Sequence, residues 1–157
     1  MILIKDLNDL GFSMNILFDT TFLVQLDRKK IDAIEVGKEL FRKDFHLFIS
    51  IISVTELMTG AKLSLDKDHA TKNVFSILNL FNWVDIDQRI ALKASDLSAQ
   101  LIINKKHIDF QDVLIAATAV EIGVEYVVTE NKRHFMQIEQ LREKIYSIED
   151  LKKKLTQ

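Results

Sequence analysis

The sequence predicts one α/β domain of three layers, in which a central, mostly parallel sheet of four to five strands lies between helices. Short apolar runs alternate with longer segments of helical periodicity along the chain. Strands that are separated by helices pair in parallel and are covered on both faces. The length of 157 residues suits a single domain, and no repeat or Gly/Ser-rich linker divides the chain.

The first half of the chain begins with the apolar run Asn15–Phe18, which predicts a strand. Helices are predicted over Thr20–Leu26 and from about Ile31 to Lys43, and a second strand over His46–Ile51. The segment Ser53–Glu56 (SVTE) then has the form of a helix start.

The second half follows the same two periodicities. Gly123 has the position of a residue that ends a helix. The predicted elements are a helix over Asp68–Phe81, a strand over Trp83–Ile86, helices over Asp87–Ile103 and Asp109–Ile122, a strand over Glu125–Thr129, a final strand over Lys144–Ile148 and a charged helix to the C-terminus.

Composition excludes several classes of protein. The 48% of apolar and 28% of charged residues are ordinary for a globular domain, and the absence of cysteine excludes disulfides and thiolate metal sites. No apolar run reaches the roughly 18 residues of a membrane span. Because Lys5 and Asp6 interrupt the N-terminal segment, it lacks the apolar core of a signal peptide. We therefore expect a cytoplasmic protein with no membrane partner.

Acidic side chains stand at the ends of the predicted strands or at the starts of the helices that follow. The carboxyl ends of parallel strands lie at one edge of a sheet, where α/β proteins bind ligands. Converging carboxylates need a cation between them, and oxygen ligands favour Mg²⁺ or Mn²⁺. Such an ion can activate water for phosphoryl displacement. The residues concerned are Asp19, Glu56, Asp109, Asp112 and the segment Thr129-Glu130-Asn131.

Each of these residues also has a purely structural explanation. Asp19 and Asp109 are favoured N-cap residues, and Ser53-x-x-Glu56 matches a capping box. Asp112 lies in a first helical turn, where the helix dipole favours a carboxylate. Asn131 is a candidate cap for a short helix. These explanations do not account for all the residues falling at one sheet edge, so the joint pattern favours a metal site.

Four segments carry a resemblance to a known family. They are Ile16–Thr21 (ILFDTT), Ser53–Leu57 (SVTEL), Asp112–Ala119 (DVLIAATA) and Val127–Phe135 (VVTENKRHF). In this order they resemble the PIN domain, and in particular the VapC-like toxins of type II (VapBC) toxin–antitoxin systems. The resemblance covers about residues 14 to 148, and the third segment is its most specific part.

The resemblance implies an endoribonuclease that depends on Mg²⁺ or Mn²⁺ and cleaves single-stranded or structured RNA with metal-activated water. It also implies a homodimer and a VapB-like antitoxin that blocks the acidic groove. Such toxins often start near Met14, so we expect an N-terminal extension over 1–13 and a single PIN-like domain over 14–157. The implied residues are Asp19, Glu56 and Asp112 as catalytic metal ligands, Asn131 as a neutral ligand, Asp109 and Glu130 as weaker candidates, and Thr20 and Thr129 as supporting hydroxyls.

Two basic runs flank the third and fourth segments and are candidate contacts to RNA phosphates. They are Lys105-Lys106 and Lys132-Arg133; a solvated surface explains each equally well. The four histidines show no zinc-ligand spacing. We expect His134 to pack beside Phe135 or to border the RNA, with no metal role.

Other classes fit the sequence less well. A phosphatase of the haloacid dehalogenase type needs a second acid at the position of Thr21. A response-regulator receiver needs an N-terminal pair of acids, for which Asp19 comes too late. Two alternatives stay open: a PIN fold that binds without cleaving, which the neutral Asn131 favours, and a housekeeping RNA-processing nuclease, which would use the same residues.

Overall fold

The computed structural model describes residues 13–43 and 45–156, and the secondary structure alternates between strands and helices. A 3-10 helix over Glu139–Lys144 precedes the last strand. The elements in chain order are β1 Asn15–Phe18, α1 Thr20–Asp27, α2 Ile31–Arg42, β2 His46–Ser50, α3 Ile51–Lys62, α4 Lys67–Leu78, β3 Asn82–Val84, α5 Gln88–Ile103, α6 Phe110–Glu121, β4 Tyr126–Val128, α7 Lys132–Phe135, β5 Ile145–Tyr146 and α8 Ile148–Thr156.

The sheet has five strands in the order β3-β2-β1-β4-β5, and every pairing is parallel. Phe18 at the end of β1 pairs with Ile49 on one side and with Val128 on the other. Asp19 continues this register, because its N–H donates to the carbonyl of Val128 at 2.9 Å. The carboxyl ends of β1, β2 and β4 therefore meet at one edge, as the sequence predicts.

Helices cover both faces of the sheet. Ile16, Phe18 and Val128 point into a core that is closed by α1 to α4 and α8. Leu17 and Val127 point into a second core that is closed by α5 and α6. The side chains alternate between the two cores because successive residues of a strand face opposite sides. The predicted three-layer α/β/α class is confirmed.

Helix α6 packs closely on the sheet because its inward side chains are small. Ala116, Ala117 and Ala119 are all fully buried in the core that contains Leu17. A methyl group at each position lets the helix backbone approach the strands. This packing fixes the first turn of α6, which carries Asp112, beside the carboxyl end of β1.

Several predicted boundaries are wrong, and one error bears on the site. Helix α3 begins at Ile51, where the hydroxyl of Ser50 caps it by accepting from the N–H of Ile52 at 3.2 Å. The predicted capping box of Ser53 and Glu56 is therefore wrong, since both residues lie inside the helix. Strand β2 accordingly ends at Ser50, one residue early.

Strand β4 ends at Val128, one residue before the predicted Thr129, and two further boundary errors lie away from the site. Helix α4 ends at Leu78, three residues before the predicted Phe81, and β3 begins at Asn82. Of the predicted extension 1–13, only Ser13 falls within the described residues. Over 13–43 and 45–156, none of the helices has the length and apolar character that crossing a membrane requires.

Candidate metal centre

Three elements bring carboxylates to one surface cavity of about 300 Å³. Asp19 follows β1, Glu56 lies in the second turn of α3, and Asp112 lies in the first turn of α6. The structure thus brings together the three residues that the sequence selects as core ligands. The rest of the lining is Thr20, Thr21, Val24, Gln25 and Glu130.

Asp19 is the most deeply placed of these acids, with 2% of its surface exposed. Its Oδ2 accepts hydrogen bonds from the hydroxyls of Thr21 and Thr129, each at 2.8 Å. Asp19 is also the N-cap of α1, but the distance from its Oδ2 to the N–H of Thr21 is 3.4 Å. The structural explanation for Asp19 is thus partly right, although that contact is long for a capping bond.

Glu56 is held by the neighbouring helix. The hydroxyl of Thr20 donates to its Oε2, and the same hydroxyl lies 2.9 Å from Oγ of the buried Ser53. Thr20 therefore supports Glu56, whereas Thr129 supports Asp19. Both threonines thus contact an acid of the cavity, and their role in supporting a metal site stays a prediction.

The carboxylates are electrostatically crowded. Burial raises the pKa of Asp19 above its ordinary value of 3.8; the hydroxyls of Thr21 and Thr129 oppose this rise, and the charge of Asp112 adds to it. Burial likewise raises the pKa of Glu56 above 4.5, with the charges of Asp19, Asp112 and Asp109 adding to the rise. Within the described part of the chain, neither Asp19 nor Glu56 forms an ion pair with a lysine, arginine or histidine.

Asp112 uses its Oδ2 atom to contact two residues near α7. Its Oδ2 accepts from Nδ2 of Asn131 at 2.9 Å and lies 2.6 Å from Nδ1 of His134. A ligand atom from each of Asp109, Asp112 and His134 falls within 4.8 Å of the others, so these three side chains could also hold an ion. Sequence reasoning missed His134. The available signal was its place three residues after Asn131, the N-cap of the short helix α7.

Two further candidate ligands, Asn131 and the weaker candidate Glu130, have other bonds in this structure. Asn131 turns its amide nitrogen, a donor, toward Asp112; its own role as a ligand stays a prediction. It makes no capping bond to α7. Glu130 lines the cavity, but its Oε1 accepts from the N–H of Ile148 at 2.8 Å.

The basic residues divide into exposed and paired ones. Lys105 and Arg133 are exposed. Lys132 is paired with Asp150 at 2.7 Å, and Nζ of Lys106 lies 3.4 Å from the carbonyl of Gln137. Lys132 and Lys106 can each contact RNA only after the bond to Asp150 or to Gln137 is broken.

The donor set fits a divalent cation. Three carboxylates converge, the deepest of them lacks a cationic partner in the described structure, and all the ligand atoms are oxygen. Hard ions such as Mg²⁺ and Mn²⁺ prefer this chemistry. A bound cation would offset the burial and the mutual repulsion that raise the pKa of Asp19 and Glu56.

Comparison with known proteins places the chain in a family. The family model described as "PIN domain" matches residues 16–141, a span that contains Asp19, Glu56 and Asp112. The chain belongs to the PIN domain family. Among characterised relatives, the Ribonuclease VapC1 of Methanocaldococcus jannaschii is 34% identical over 131 residues, which is 83% of this chain and 86% of the relative.

Two solved complexes share the fold. The VapBC2 complex of Rickettsia felis, bound to a DNA fragment from its promoter, contains a chain with a TM-score of 0.77 at 24% identity, covering 85% of this chain and 98% of that one. A toxin–antitoxin complex from Klebsiella pneumoniae gives a TM-score of 0.65 at 26% identity, covering 85% and 97%. The resemblance to the VapC-like members of the PIN domain family is confirmed.

Proposed function

We propose that this PIN-domain chain is a metal-dependent endoribonuclease and the toxin of a VapBC-type toxin–antitoxin pair. The observation that carries the proposal is the convergence of Asp19, Glu56 and Asp112 on one cavity, with Asp19 buried and without a cationic partner in the described structure. Membership of the family and the 34% identity to a relative named as a ribonuclease support the reaction class.

Asp19, Glu56 and Asp112 would hold Mg²⁺ or Mn²⁺, with Asn131 as a neutral ligand and Asp109 and Glu130 as weaker candidates. When bound, the cation supplies an acidified water and stabilises the negative charge that develops during hydrolysis of a phosphodiester. Thr20 and Thr129 keep Glu56 and Asp19 turned toward the cavity through their hydroxyls.

RNA would be attracted by the basic residues that precede α6 and belong to α7. The net charge of −2 gives no general attraction for a polyanion, so local cations must supply it. Lys105 and Arg133 are exposed and suit contacts to phosphates, which position a nucleic acid without reading its sequence. Lys106 and Lys132 would join them after leaving Gln137 and Asp150.

The proposed protein partner is a VapB-like antitoxin that fills the acidic cavity. Solved structures that share this fold include a VapBC2 complex and a toxin–antitoxin complex. An arginine entering the cavity would neutralise the clustered carboxylates as a cation does. A peptide of this kind should therefore compete with Mn²⁺ for the protein.

A homodimer in the cytoplasm completes the proposal. Ile102, Ile103 and Phe110 are large apolar residues with 64–78% of their surface exposed, and an interface between two copies would cover such residues. Light scattering of the purified protein tests the dimer, and a monomer at micromolar concentration would contradict it. Fluorescence microscopy of tagged cells tests the compartment.

The experiment for the nuclease is cleavage of a pool of single-stranded RNA with Mg²⁺, with Mn²⁺ or with EDTA. Asp112→Asn is the test variant. Asp96→Asn, at an exposed position on α5, is the matched control. We expect cleavage by the wild type and the control only with metal, and background levels for Asp112→Asn. Cleavage that survives both EDTA and the substitution would refute the proposal.

The competing function is a PIN fold that binds a partner without cleaving RNA. Calorimetric titration with Mn²⁺ separates the two functions, because a non-catalytic module has no need of a cation bound by Asp19 and Asp112. Absence of Mn²⁺ binding that depends on these carboxylates, together with absence of cleavage, would favour the binding module.

A further inference from the structure

Two threonine hydroxyls donate hydrogen bonds to one oxygen of the buried Asp19. Oγ1 of Thr21 and Oγ1 of Thr129 both lie 2.8 Å from Oδ2. Thr21 belongs to the first turn of α1, whereas Thr129 follows β4. Thr21 and Thr129, which are 108 residues apart in the chain, therefore hold the same carboxylate oxygen.

The directions of the two hydroxyl protons follow from the other bonds that the hydroxyls make. The N–H of Glu130 donates to Oγ1 of Thr21 at 2.9 Å, and the N–H of Asn131 donates to Oγ1 of Thr129 at 2.9 Å. A main-chain N–H can only donate, and a hydroxyl has a single proton to give. Each hydroxyl therefore accepts from the segment 130–131 and keeps its own proton to donate. Oδ2 of Asp19, at 2.8 Å from both hydroxyls, is a closer acceptor than the other hydroxyl at 3.4 Å.

This arrangement distinguishes the two oxygens of Asp19. Oδ2 receives both hydroxyls, while Oδ1 has no side-chain donor among residues 13–43 and 45–156. The last torsion of an aspartate side chain is broad and weakly restrained by itself. Two donors on one oxygen, each set by a backbone bond, hold that torsion and present the other oxygen.

We infer that Thr21 is a positioning residue for the metal centre: its hydroxyl, set by the N–H of Glu130, holds Oδ2 of Asp19 and leaves Oδ1 to a cation. The inference rests on the proposed function. It extends the supporting set beyond Thr20 and Thr129. Thr21 does not touch the reacting phosphate in this account and acts only through Asp19.

The test is the affinity for Mn²⁺, measured by calorimetry on wild type, Thr21→Val and Thr21→Ser. Loss of a group that orients a metal ligand costs about 10- to 100-fold in affinity, so we expect a loss in that range for valine. Serine keeps the hydroxyl and should restore the affinity to within a few fold of wild type. The matched control is Thr59→Val, because Thr59 is exposed and bonds only the carbonyl of Thr55 in its own helix.

The outcomes separate the inference from the proposed function. If wild type binds Mn²⁺ and cleaves RNA, but Thr21→Val binds Mn²⁺ as tightly as Thr59→Val does, the inference is wrong and the nuclease stands. If wild type binds no Mn²⁺, both are wrong. Circular dichroism in EDTA checks the fold. Should Thr21→Val not fold, Thr21→Ala against Thr21→Ser isolates the hydroxyl, and equal Mn²⁺ affinities of that pair would overturn the inference.

Discussion

Replacing Thr129 by valine should destabilise the protein more than the small change in side-chain shape suggests. Valine matches threonine in shape, so the substitution at this fully buried position creates no cavity. It removes one hydrogen bond to a charged acceptor, Oδ2 of Asp19 at 2.8 Å. It also removes the acceptor of the Asn131 N–H, which lies 2.9 Å away. The metal-free protein should show the full effect, since a bound cation would itself stabilise Asp19.

The magnitude follows from the two bonds. A hydrogen bond to a charged group contributes about 2 kcal/mol, and a half-buried N–H that loses its acceptor costs about 1 kcal/mol more. We therefore expect the free energy of unfolding to fall by about 3 kcal/mol. For a domain of this size the melting temperature changes by about 2–4 °C per kcal/mol, which gives a decrease of about 6–12 °C.

Thr118→Val is the matched control, because Thr118 is equally buried but donates to a neutral carbonyl, that of Leu114, at 2.8 Å. It should cost only about 1 kcal/mol. Thermal unfolding in EDTA at pH 7 compares the variants. The difference between them should shrink at acid pH, since a protonated Asp19 no longer needs two donors. Equal losses for Thr129→Val and Thr118→Val would refute the reasoning.

Three further predictions concern the pH dependence and helix α6. Because the pKa values of Asp19 and Glu56 are raised, the metal-free native state holds protons that the unfolded chain releases. The free energy of unfolding in EDTA should therefore fall as pH rises above 3.8–4.5, until both acids are ionised. Asp19→Asn should flatten this slope. An unchanged slope would contradict a raised pKa for Asp19. Gly123→Ala should cost about 1 kcal/mol in urea unfolding, because φ is 65° where α6 ends; a neutral effect would be inconsistent with that strain. Ala117→Leu should cost about 1–3 kcal/mol by overpacking the fully buried helix–sheet contact, and a stabilised variant would show that the contact is loose.

The fold could be predicted because its determinants are local. The apolar runs that form β1 and β4 end at Asp19 and Thr129, and the parallel arrangement then aligns these ends. The alanines of α6 indicate close packing without any knowledge of the partner strand. The sequence predicts the wrong start for α3 because Ser50 and Ser53 are both plausible N-caps. Only the position at which β2 ends decides between them.

The contacts within the site depend on the tertiary structure and were only partly predictable. His134 reaches Asp112 across 22 residues. The spacing of the four histidines does not indicate this contact, and only the place of His134 three residues after Asn131 does. Thr21 has the same sequence signal as Thr20, yet the one supports Asp19 and the other Glu56. Which hydroxyl serves which acid depends on how α1 lies against α3 and β4.

Anomalous diffraction from a crystal grown with Mn²⁺ tests the central claim most directly. The account predicts a peak in the cavity lined by Asp19, Glu56 and Asp112, and its absence in crystals of Asp112→Asn. A peak held by Asp109 and His134 away from Asp19 would contradict it, as would a cavity without Mn²⁺ at saturating concentration.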